Sequence, residues 1–257
     1  MLRRLASGAA AAGALAGCGS GSSSLPQGGE TVDLDPSAFT TKIDNRWWPM
    51  QPGTRWTYRE TDEQGTSAQV VVTVSSETKR IANGVEARIV RDTVSSEGEV
   101  VEDTFDWYAQ DDDGNVWYLG EDTAEFEHGE VSSREGSFEA GVDGAQAGVI
   151  IPADPKPGLA YRQEYYEGEA EDNGEVLSLQ ERAQVPAGRY RDALLTKDTT
   201  PLEPDVLEYK LYAPGVGPVL TLGVSGSGGR EALVRVETVS PAAAKAAGTT
   251  PLGKPYP

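Results

Sequence analysis

The chain has 257 residues, of which 38% are hydrophobic and 25% charged, and it carries a formal charge of −19. A body this acidic is repelled by phosphate backbones and by anionic lipid head groups, which excludes nucleic acid as a partner and disfavours a bare membrane surface. The single cysteine, Cys18, excludes disulfides and thiolate metal sites from the folded part, so stability has to come from one core.

Residues 1–17 carry Arg3 and Arg4, then a short apolar run, then the small residues Leu15-Ala16-Gly17 directly before Cys18. The apolar run is far shorter than the roughly 20 residues that cross a bilayer. The pattern resembles a bacterial lipoprotein signal peptide with its lipobox. That resemblance implies removal of 1–17, acylation of Cys18 (palmitate-type chains) and an exported protein held at the cell membrane or envelope. Without Arg3 and Arg4 the chain keeps 20 basic against 41 acidic residues. Residues 18–38, rich in Gly and Ser at their start, read as a lipid-anchored flexible tether. Residues 39–240 read as a single all-β domain, and 241–257, rich in Ala, Thr and Pro, as a disordered tail.

Within 39–240, short runs of Val, Thr and aromatics alternate with turn residues, and no long helical period appears. Residues 55–61 form the first long strand, with Trp56 and Tyr58 on one face. Asn83-Gly84 between two strand-forming runs is a strong hairpin signal. The most informative stretch is 106–121, DWYAQDDDGNVWYLGE. A five-residue loop from Asp111 to Asn115 sets Gln110 opposite Val116. Alternation then places Phe105, Trp107, Ala109, Trp117 and Leu119 on a core face. Asp106, Tyr108, Gln110, Val116 and Tyr118 share the other face, which reads as a wet surface or as the wall of a binding cavity, with Asp106, Tyr108, Gln110 and Tyr118 as its candidate ligand-facing residues.

Residues 136–161 are rich in Gly, Ala and Pro with little periodicity and read as a long loop near a mouth. Asn173-Gly174 predicts a second tight hairpin, joining 161–172 to 175–183. On that reading Glu167, Glu169 and Glu171 stack on one strand face as a weak cation candidate. Strands at 189–197, 206–212, 219–224 and 231–239 complete an antiparallel barrel, open or closed, with a β-sandwich as the alternative.

Four blocks, at 45–58 (NRWWPMQPGTRWTY), 106–121, 136–172 and 212–219 (YAPGVGPV), resemble an uncharacterised family of β-rich bacterial envelope lipoproteins and secreted proteins. Family members carry Pro where this chain has Arg46. The resemblance implies an envelope address and a β-rich fold, and brings no activity with it.

Individual motifs carry little chemistry. Asp111, Asp113 and Asn115 mimic the first ligands of a calcium loop, but Val116 and Asp122 stand where such a loop needs Gly and Glu. They read as a hairpin turn and only weakly as a cation site. His128 is the sole histidine, in a loop, with no serine motif beside it. No metal site and no cofactor are expected. The expected function is non-enzymatic: a binding or carrier module for a small apolar or cationic ligand. The alternatives are a structural or protein-interaction module of the envelope without a pocket and, last, a carboxylate hydrolase.

Overall fold

The computed structural model describes residues 25–226 and 228–257. The signal segment and Cys18 lie outside the described residues. Sixteen strands form one sheet. In chain order they are β1 (Phe39–Thr40), β2 (Thr54–Asp62), β3 (Ser67–Arg80), β4 (Glu86–Ser96), β5 (Glu99–Asp111) and β6 (Val116–Glu127). Then come β7 (Glu130–Ser133), β8 (Phe138–Glu139), β9 (Gln146–Ile151), β10 (Ala160–Arg162) and β11 (Glu164–Tyr165). The last five are β12 (Asn173–Val185), β13 (Gly188–Thr199), β14 (Leu207–Ala213), β15 (Gly217–Ser225) and β16 (Gly229–Thr238). The one α-helix among the described residues, α1 (Pro241–Thr249), follows.

The main path of the sheet runs β10-β12-β13-β14-β15-β16-β2-β3-β4-β5-β6-β9-β11, antiparallel throughout. Its two ends, β10 and β11, are consecutive in the chain with only Gln163 between them. One short stretch therefore pairs with β12 on one side and with β9 on the other, and curls the sheet into a nearly closed barrel. Closure satisfies backbone groups that an open edge would leave bare. The expected all-β barrel is what forms, and not the sandwich.

The hairpin at Asn83-Gly84 forms as expected. Gly84 has φ +94, Ile81 N–H donates to Val85 O, and Arg80 pairs with Glu86. The aromatic hairpin has the expected register at its turn: Gln110 opposite Val116, Ala109 opposite Trp117 and Tyr108 opposite Tyr118. A bulge then slips the strands, so that Asp106 pairs with Glu121. The bulge falls at Gly120, where an added Cβ would lie 2.2 Å from the backbone oxygen of Phe138 in β8. Glycine permits that approach.

The second expected hairpin does not form. Asn173 and Gly174 lie inside β12, paired with Thr199 and Asp198 on one side and with Arg162 and Tyr161 on the other. A Cβ on Gly174 would sit 2.7 Å from the Tyr161 ring, so this glycine serves close packing in a strand and not a turn. The real turns are at 166–170, where Tyr166 bridges Ala170, and at 185–188. Glu167 and Glu169 consequently stand exposed in a loop, and the Glu171 carboxylate accepts from Gly168 N. The stacked acidic face does not exist. Residues 136–161 are likewise no mouth loop, since β8, β9 and β10 build them into the barrel wall.

Both ends of the described residues pack on the barrel. Leu25, Val32 and Leu34 lean on the core, and the buried Arg162 guanidinium donates to the carbonyls of Gly28, Glu30 and Ala147. This removes 25–38 from the expected tether. Residues 241–257 are not a disordered tail. Ser240 caps α1 through its side chain, with Pro241 in the first turn, and Ala243, Ala244 and Ala247 are buried against β3. Beyond it, Thr250 and Pro251 carbonyls accept from Arg91, which is paired in turn with Asp103.

Candidate functional site

Alternation along the closed barrel gives each strand an inner and an outer face. The outer, odd-numbered face of the aromatic hairpin is buried at Trp107, Ala109, Trp117 and Leu119 as expected, Phe105 is only half-buried, and the Lys79 ammonium lies 3.6 Å from the centroid of the Trp107 ring. The even-numbered face points into the barrel. It is no exposed wall, since Asp106, Tyr108, Gln110, Val116 and Tyr118 are all buried too.

The interior has two halves of opposite character. In one, Tyr108 and Tyr118 stack with centroids 5.0 Å apart, Trp48 lies between Tyr108 and Tyr212 on the facing wall, and Phe138 meets Tyr118 edge-on. Trp56 and Tyr58 donate to the carbonyls of Val216 and Pro218. This half is filled, and the polar tips of Trp56, Tyr58 and Tyr118 are satisfied, while the Trp48 indole nitrogen finds no partner among the described residues. Gln110 belongs to it as a clasp. Its side-chain oxygen accepts from Asp44 N and Asn45 N, both at 2.9 Å, and its amide donates to the Asp44 carboxylate.

The other half is hollow. A cavity of about 800 Å³ opens there, lined by nine acidic residues against two basic ones, Lys210 and Arg230. Three of these acids continue an inner face that is apolar or aromatic elsewhere. Glu60 follows Trp56 and Tyr58 on β2, Asp92 sits between Val90 and Val94 on β4, and Glu231 precedes Leu233 on β16. Glu231 and Glu60 are directly opposite across a strand pair, as are Glu102 and Glu125. Like charges so placed repel.

The protonation pattern follows. Burial, reinforced by Glu60 and opposed by Lys210, raises the Glu231 carboxyl to about 7. Burial likewise lifts Asp92 well above the usual carboxylate range, with Asp106, Glu231 and Glu102 adding to the push. Glu102 is raised for the same reason, with Glu125 and Glu60 beside it. One oxygen of Asp92 is shut off from solvent and finds no hydrogen-bond partner among the described residues. For Lys210, burial favours the neutral amine, but Asp198 at 2.9 Å and Glu208 at 3.8 Å overcome it and hold the ammonium firmly charged.

Where the two halves meet, the Tyr118 hydroxyl lies 2.8 Å from Asp106 Oδ1 and 2.7 Å from Glu121 Oε2. One hydroxyl proton cannot serve two acceptors, so a second proton belongs to this trio. Asp106, raised by burial to about 7 despite the Tyr118 hydrogen bond, is the group placed to carry it.

The turn acids are spent on scaffolding. Asp111 accepts from Asn115 N, Asn115 Nδ2 and Trp117 Nε1 at 2.7–2.8 Å, and Asp113 is exposed beside it. Among the described residues no group of three His, Cys, Asp or Glu is placed to hold a metal ion. His128 stands exposed in the turn between β6 and β7.

Sequence reasoning named Asp106, Tyr108, Gln110 and Tyr118 as ligand-facing, none of which lines the cavity, and missed Glu60, Asp92, Glu102, Glu208, Lys210 and Glu231, which do. The signal was present as an acid at a core-face position of an otherwise apolar strand, as in Val90-x-Asp92-x-Val94.

No protein family model matches the chain, and no curated protein matches it. Three solved structures are similar to it. A protein from Bacteroides fragilis, described as exported and of YmcC-like fold, is 16% identical at a TM-score of 0.46, covering 75% of this chain and 99% of that one. A protein described as a lipoprotein from Parabacteroides distasonis is 12% identical at 0.41, covering 74% and 98%. A β-barrel-like protein of a domain of unknown function from Brucella abortus is 11% identical at 0.36, covering 73% and 98%. Likenesses this remote carry no argument about function or address, so the resemblance to an envelope family rests on the quoted sequence blocks alone.

Proposed function

We propose that the protein is a non-catalytic binding module of the cell envelope, exported, held at the membrane through lipid on Cys18, and taking a cationic ligand into the hollow half of its barrel. One observation carries the ligand reading: the cavity of about 800 Å³ with nine acidic residues against two basic ones on its wall. Its size is that of a small-molecule site. A bound cation would stabilise carboxylates that now sit beside one another partly neutralised. The aromatic half of the barrel offers an apolar ligand no comparable space, because it is packed with side chains.

A carboxylate hydrolase is the second reading, favoured by the proximity of Asp106 and Glu121 and the raised Asp106. It fares worse because the Tyr118 hydroxyl occupies the space between the two carboxyls, where a scissile bond would have to lie.

Calorimetric titration of the barrel with a simple diamine at pH 8 and low salt tests the ligand reading. The diamine is expected to bind, and the double variant Asp92→Asn, Glu231→Gln to lose about tenfold or more in affinity, as two partly desolvated charge contacts imply. Uptake of an apolar dye with no response to the diamine would contradict it. The anchor is tested separately by fatty-acid labelling, which is expected to mark the wild type and not Cys18→Ala; equal labelling of both would remove the anchor.

A further inference from the structure

We infer that the ligand is a linear aliphatic polyamine carrying three or more ammonium groups, an inference that rests on the cationic reading of the cavity and narrows it.

Three features of the wall select this class. First, the charge is dispersed. Glu60, Asp92, Glu102, Glu121, Glu208 and Glu231 come from six different strands around the barrel, β2, β4, β5, β6, β14 and β16. No three acidic or histidine side chains among the described residues are gathered closely enough to ligate one ion. A compact divalent cation needs about six or more oxygens at one point. A flexible chain with several separated charges meets separated carboxylates instead.

Second, the wall offers hydrogen-bond acceptors and no aromatic face. None of the cavity-lining residues is Phe, Tyr or Trp. Quaternary ammonium groups have no N–H to donate and are held by aromatic rings. Carboxylates select primary and secondary ammonium groups, which donate charge-assisted hydrogen bonds. Asp92, one of whose oxygens finds no partner among the described residues, lines this wall as such an acceptor.

Third, the two resident cations, Lys210 and Arg230, are outnumbered by nine acids, and Arg230 donates to the Gln184 carbonyl. Lys210 is bound to Asp198 at 2.9 Å and lies 3.8 Å from Glu208, so it neutralises its own neighbours and leaves the remaining acids of the wall in excess. It also supplies a positive point that a ligand's ammonium groups must avoid, which favours a chain that lies along the Glu60, Glu231 and Glu102 side of the cavity.

The test is calorimetric titration of the lipid-free barrel with spermine, putrescine and a monoamine of matched carbon length, repeated with magnesium chloride at fixed ionic strength. Spermine is expected to bind about tenfold or more tightly than putrescine, and putrescine more tightly than the monoamine, because each added ammonium meets a further carboxylate. Glu60→Gln and Glu231→Gln are each expected to weaken spermine severalfold; each removes one of two like charges that face each other across a strand pair, so the variants fold. Magnesium at the same charge concentration is expected not to displace spermine. A monoamine that binds as tightly as spermine would overturn the polyamine class and leave the cationic site standing. Displacement of spermine by magnesium charge for charge would do the same, marking simple counterion exchange. If no amine binds, the cationic reading falls with it.

Discussion

Changing Tyr108 and Tyr118 together to Ser is expected to unfold the protein. The sequence alone suggests the opposite, since both tyrosines alternate onto a face shared with Asp106 and Gln110 that resembles a wet wall. In the barrel they are buried, stacked at 5.0 Å, and wedged against Trp48 and Phe138. Truncating one large buried aromatic costs about 3–5 kcal/mol. The two share a contact, so their costs do not simply add. Even the lower end of the combined loss is comparable with the ~5–15 kcal/mol that stabilises a whole domain. The Ser hydroxyls would also lie in the cavity without partners, a further cost of about 1–3 kcal/mol. The outcome is read by near-UV circular dichroism and thermal melting. A double variant that keeps a cooperative melt near the wild-type temperature would mean that the aromatic half is not filled.

Asp103→Ala is expected to cost about 3–5 kcal/mol, the range for removing one partner of a buried ion pair. Asp103 and Arg91 have side-chain exposures of 1% and 0%. The Asp103 carboxylate accepts from both ends of the Arg91 guanidinium, from the Thr93 hydroxyl and from Gly253 N. Arg91 in turn holds the Thr250 and Pro251 carbonyls and lies under the Tyr256 ring. Without Asp103 the guanidinium keeps its charge but loses its counter-ion, and the contacts of 250–256 loosen with it. Denaturant melts should show the loss, and hydrogen exchange should show it spread to the α1 amides. Arg91→Met with Asp103→Leu should be milder than Asp103→Ala alone, because no charge is left unpaired. If the single variant costs no more than a surface substitution, the C-terminal segment is not held through this pair.

What could be read in the chain, and what could not, follows from how local each signal is. The turn of Asp111 to Asn115 was legible because its chemistry is self-contained: Asp111 and Asn115 close the loop between themselves and fix the register of Tyr108 with Tyr118. Asn83-Gly84 was legible for the same reason. Asn173-Gly174 presents the same dipeptide, yet its glycine is required by the Tyr161 ring, which arrives from a strand paired only when the barrel closes. The C-terminal segment was misread by composition. Its Ala residues are good helix formers, and Ser240-Pro241 is an N-terminal cap, but the helix is held by β3, which no local pattern reveals. The acidic cavity was the least legible feature. Glu60, Asp92, Glu102 and Glu231 are far apart in sequence, and only barrel closure turns four unremarkable strand acids toward one space.

The most direct measurement of that space is a carboxyl NMR titration of Glu231, with and without saturating spermine. Without ligand, its midpoint should lie at about 7, raised by burial and by Glu60. In that state Glu231 binds a proton that an unfolded chain has already lost. Its contribution to stability is therefore complete below the ordinary glutamate value and disappears as pH rises through about 7. A cation seated against the carboxylate replaces that proton, and the midpoint should fall toward the ordinary glutamate value of about 4.3. A midpoint already near that value without ligand, or one near 7 that no amine moves, would contradict a cation-binding hollow at the acidic half of the barrel.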